Sequence, residues 1–93
     1  MMTNNTKLAL INTKCPAVAI AIAKLPAAEQ DAILTTGGKV TLASGIAPNG
    51  MHCTLIATVA RDLSATVVAV APDGREQPIG HGHVDAIIAK LGE

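Results

Sequence analysis

The sequence predicts an α+β fold: an antiparallel β-meander of three to four strands, with two N-terminal helical segments and one C-terminal helix packed on one face. Three observations carry this. Apolar residues recur at helical spacing near both ends of the chain, and between Lys39 and Ile79 the apolar period changes to two. The alternating stretch is cut by Ala47-Pro48-Asn49-Gly50 and Pro72-Asp73-Gly74, whose residues suit tight turns.

Taken in order, Met1–Asn5 is polar and is expected to form a mobile tail. Lys7–Ile11 suits either a short strand or the start of a helix. Pro16–Lys24 also has two periods: Val18, Ile20 and Ile22 alternate with Ala, whereas Val18, Ile22 and Leu25 lie at i, i+4 and i+7. The echo of Ala21-Ile22-Ala23-Lys24-Leu25 in Ile87-Ile88-Ala89-Lys90-Leu91 favours a helix. Pro26 ends or kinks that segment and suits the first position of the next, since a helix leaves its first N–H groups unpaired. Ala27–Thr35 follows as a helix, with Glu29 and Asp31 complementing its dipole, and Gly37-Gly38 stops it.

Lys39–Ser44 then reads as a strand with Val40 and Leu42 on one face. His52–Ala60 places Cys53, Leu55, Ala57 and Val59 on one face and Thr54, Ile56 and Thr58 on the other. Arg61-Asp62-Leu63-Ser64 connects to Ala65–Ala71, a Val-rich strand. Arg75–Ile79 adds a short fourth strand whose Pro78 marks its edge or end. Val84–Leu91 has the strongest helical pattern: Val84, Ile87, Ile88 and Leu91 at i, i+3, i+4 and i+7, Asp85 in the first turn, Lys90 in the last and Gly92 as a stop.

A chain of 93 residues supports one domain, taken as residues 1–93. It has no aromatic residue and only 15% charged residues, while 49% are hydrophobic. Aromatic rings dominate most small cores, so this core must be aliphatic and light. A small monomer leaves much of its surface uncovered. The combination predicts that apolar surface is hidden against other copies of the chain. The sheet face expected to do this carries Thr41, Ala43, Thr54, Ile56, Thr58, Val67 and Ala69.

Zero net charge and the lack of stacking rings argue against a nucleic-acid polymer as partner. Lys7, Lys14 and the apolar run from Pro16 to Ala23 imitate a signal peptide, but the run is eight residues long and opens on Pro. It is also too short to span a bilayer, so no membrane role is expected. Cys15 and Cys53 are too few and too far apart for a disulfide framework, which suggests reduced thiols and a cytoplasmic setting.

Candidate chemistry centres on Gly80-His81-Gly82-His83, just before the last helix. Glycines let a ligand approach the backbone, a helix N-terminus favours an anion, and Arg75 on the adjacent hairpin could clamp one. The expected function is a non-enzymatic homo-oligomeric binding protein. It would hold a small anionic ligand of nucleotide or phosphate type near subunit boundaries through Arg75, Gly80, His81, Gly82 and His83, sequestering a metabolite. Alternatives are a metal-dependent or cysteine-dependent enzyme using His81, His83, His52, Asp85, Cys53 or Cys15, and a structural oligomerisation module. No cofactor is expected, and no catalytic fingerprint is present. Arg61 and Asp62 suit a surface ion pair.

Overall fold

The computed structural model describes residues Thr3–Leu91. Three helices come first: α1 (Asn4–Lys14), α2 (Pro16–Ala23) and α3 (Ala27–Thr36). Four strands follow, β1 (Gly38–Ile46), β2 (His52–Val59), β3 (Ala65–Val70) and β4 (Glu76–Ile79). A 3-10 turn (His81–His83) then leads into α4 (Val84–Lys90). The sheet is an antiparallel meander in the order β1-β2-β3-β4. The predicted α+β class and meander are therefore present, with one more N-terminal helix than expected.

That extra helix settles the Lys7–Ile11 ambiguity. The Thr3 hydroxyl accepts a hydrogen bond from the Thr6 N–H at 3.2 Å and caps α1. Asn4 and Asn5, expected in a tail, form its first turn. Ile11 buries on the layer beneath, and the Lys7 ammonium reaches the Leu34 carbonyl near the end of α3 at 3.2 Å. Gln30 of α3 donates to the carbonyls of Ala23 and Leu25 at 3.1 and 2.9 Å, which satisfies groups that α2 leaves open at its C-terminus. Pro26 is the N-cap of α3 rather than its first residue. Gly92, the expected stop of α4, lies outside the described residues.

The helices cover one face of the sheet. The core joins Ile11, Cys15, Val18, Ile22, Ile33 and Leu34 of the helical layer to Val40, Ala57, Val59 and Val67 of the strands, with Val84 of α4 closing it. Each such aliphatic side chain contributes about 1.5–3 kcal/mol when fully buried. No buried polar or charged side chain interrupts this core among the described residues.

All three strand connections share one geometry. In Ala47-Pro48-Asn49-Gly50, Ala60-Arg61-Asp62-Leu63 and Ala71-Pro72-Asp73-Gly74, the fourth N–H donates back to the Ala carbonyl. The Ala N–H in turn reaches the carbonyl of the next residue, Met51, Ser64 or Arg75. The third residue, Asn49, Asp62 or Asp73, accepts the N–H two positions on at 2.9–3.1 Å. The fourth takes positive φ in every case: Gly50 83°, Leu63 69° and Gly74 89°. This is a short hairpin loop closed by a left-handed residue, whose twist matches that of the strands.

Candidate functional site

Cross-strand pairing shows which side chains share a face. One row runs Val40, Ala57, Val67, Ile79 on the helix-covered side. The neighbouring row on the opposite side runs Thr41, Ile56, Val68, Pro78. It is flanked by Lys39, Thr58, Thr66 at one end and by Ser44, Thr54, Val70, Glu76 at the other. This outer face bears no helix. Ile56, Val68, Val70 and Thr54 are only half-buried, and Ile46 near the β1–β2 tip is exposed.

The residues predicted to share one face of the sheet do so only in part. Thr41, Thr54, Ile56 and Thr58 lie on the outer face. Val67 and Ala69 do not: Val67 is fully buried opposite Ala57, and Ala69 pairs with Leu55 on the core side. Ala43 also faces the core side, because a bulge between Thr41 and Ala43 shifts the alternation by one residue. The β2–β3 connection sets the phase of β3, so that Thr66, Val68 and Val70 point outward instead. Alternation fixes which residues share a face within one strand, but not which face meets the core.

Within one chain, the residues expected to hold an anion are not all brought together: Gly80 to His83 form one turn, and Arg75 lies apart. Arg75 and Gly80 stand at opposite ends of the extended β4, about 16 Å apart at the usual rise per residue. Arg75 is turned to solvent and pairs with Asp73. The cleft it borders, about 450 Å³ between the two hairpin tips, also has Asp73 and Glu76 on its walls, which disfavours an anion. His81 Nε2 donates to the Ala65 carbonyl at 2.7 Å and so pins the 3-10 turn to the start of β3. Gly82 and His83 are exposed, and α4 has only seven residues.

The metal and thiol alternatives fare similarly. No group of three or more His, Cys, Asp or Glu residues able to hold a metal exists among the described residues. Cys15 ends α1, begins α2 and is 1% exposed, so its thiol is shielded from attack. Cys53 is half-buried and unpaired in a disulfide. No described helix is long and apolar enough to cross a membrane.

Among the described residues, two carboxyls are held below their ordinary value of 3.8, both in turns. The Ser64 hydroxyl, followed by its N–H, stabilises the Asp62 carboxylate. The Arg75 N–H, followed by its guanidinium, does the same for Asp73. Asp62 therefore partners Ser64 within its turn, in place of the expected pairing with Arg61. The titratable groups with shifted pKa values thus serve the hairpin geometry, and they form no catalytic cluster. Comparison with family models, curated proteins and solved structures finds no match to this chain.

Proposed function

We propose that this protein is a non-enzymatic homo-oligomeric interaction module whose working surface is the outer face of the sheet. The observation that carries the reading is the Thr41, Ile56, Val68, Pro78 row, an apolar stripe across all four strands with no helix over it. A face of Thr and β-branched residues packs well on a second sheet about 10 Å away. The sheet edges are poor alternatives. Pro78 removes a donor from β4, and the bulge with Lys39 disrupts β1.

The face spans roughly 19 by 20 Å from strand spacing and rise, a footprint of about 400 Å². That is about half the roughly 800 Å² per partner of a standard interface, so a weak, reversible dimer is expected. The free thiols of Cys15 and Cys53 accord with a cytoplasmic setting. An anionic ligand forms no part of the proposal, because Arg75 and the His81–His83 turn do not meet within one chain.

Sedimentation velocity between 5 and 200 μM tests the reading. The native chain should shift from monomer to dimer across that range, whereas Val68→Glu should remain monomeric with an unchanged far-UV spectrum. A native chain that stays monomeric at 200 μM would overturn the proposal. Val67→Glu is unsuitable for this purpose, since it would place a carboxylate in the core.

A further inference from the structure

The outer face carries two formal charges within its paired rows, and their placement points to one way of stacking. Lys39 sits at one corner, on edge strand β1 in the row of Thr58 and Thr66. Glu76 sits at the diagonally opposite corner, on edge strand β4 in the row of Ser44, Thr54 and Val70. Both residues are exposed, and everything between them on the face is uncharged.

Four symmetric ways of laying this face on a copy of itself can be compared. A two-fold axis across the strands sets Lys39 above the partner's Ser44 corner. An axis along the strands sets it above the end of the partner's β4 that lacks a charge. Both leave the charged corners without partners. An axis along the diagonal from Lys39 to Glu76 stacks like charge on like charge, which costs energy. An axis along the other diagonal sets each Lys39 over Glu76 of its partner, twice per dimer. The strands of the two sheets then cross near 90°, one of the two preferred arrangements for packed sheets. Because the face is nearly square, a crossed pair covers it about as fully as an aligned one.

We infer that two copies of this chain pack by their outer sheet faces in this orthogonal arrangement, with paired Lys39–Glu76 contacts at two rim positions. The inference rests on the face-to-face reading above and adds the partner's orientation. Rim pairs are individually weak but act on encounter and register. In an interface this small they decide between arrangements that apolar contact alone leaves nearly equal.

Charge exchange tests it. Lys39→Glu and Glu76→Lys should each weaken the dimer about tenfold, since both rim contacts become repulsive. Mixing the two variants should restore native affinity, because every contact in the mixed dimer then joins opposite charges. Lys24→Glu mixed with Glu29→Lys gives the same change in net charge away from the face and should show no such gain. Single variants with native affinity, or a mixture with no recovery, would overturn the crossed arrangement while Val68→Glu still dissociates the dimer. If Val68→Glu also leaves the mass unchanged, the face-to-face reading itself falls.

Discussion

Gly37 and Leu63 both hold positive φ, for opposite reasons. Gly37 has φ 85° and ψ 171° where α3 hands over to β1, a region open in practice to glycine alone. A Cβ there would lie 2.6 Å from the Val59 carbonyl oxygen, a backbone atom that cannot step aside. Gly37→Ala should therefore cost about 3 kcal/mol in urea unfolding, and a loss under 1 kcal/mol would show that the junction can relax. Leu63 occupies the slot that glycine fills in the other two turns. Its backbone strain costs about 1–2 kcal/mol, and burial of its side chain in the core offsets this by a similar or larger amount. Glycine stops were legible in the sequence because Gly has a known conformational signature. Leu63 was not, since nothing local marks a leucine as left-handed; only its contact with the core explains it.

At the scale of elements, the hairpins depend on their Asx residues. Asp62 and Asp73 have depressed pKa values through hydrogen bonds to Ser64 and Arg75. A depressed carboxyl contributes stability that is fully present above its unfolded value and is lost as the pH falls through the folded one. The thermal unfolding midpoint should thus begin to fall as the pH drops below 3.8, and less so in the double variant Asp62→Asn, Asp73→Asn. An equal acid loss in both proteins would assign the effect to other carboxyls. The helix Ala27–Thr36 and all four strands could be read from period and turn chemistry, whereas Pro16–Ala23 fits two periods and only its echo of the last helix favoured the helix it forms. The first helix could not, because its capping by Thr3 is a local bond in a stretch with little apolar pattern. The phase of β3 was missed for a different reason: a strand such as Ala65–Val70, apolar on both sides, gives alternation no direction.

For the molecule as a whole, the dimensions are 45 × 22 × 20 Å, so it is elongated. The helices lie over the part of the sheet that contains Val40, Ala57, Val59 and Val67. The cleft between the hairpin tips, by contrast, is lined by strand and turn residues only. Regions with few buried apolar contacts open first. In hydrogen exchange followed by NMR, protection at Ser44–Cys53 and Val70–Gln77 should be lost well before that at Ala57–Val59. Uniform protection would mean that the sheet opens only as a unit. The candidate anion site shows the limit of sequence reading at this scale. Arg75 and His81 are close along the chain, yet an extended strand uses that short separation to drive them apart.

The division of the chain into a helical layer followed by its sheet also bears on synthesis. Ile11, Val18, Ile22 and Leu34 precede the strand residues that cover them. Elongation at roughly 5–20 residues per second leaves about 2–7 seconds between the appearance of Leu34 and that of Val67. Helices form far faster than this. Helical segments of 11, 8 and 10 residues are marginal on their own, so until the sheet is made their oily residues stay within reach of any chaperone that binds aliphatic surface.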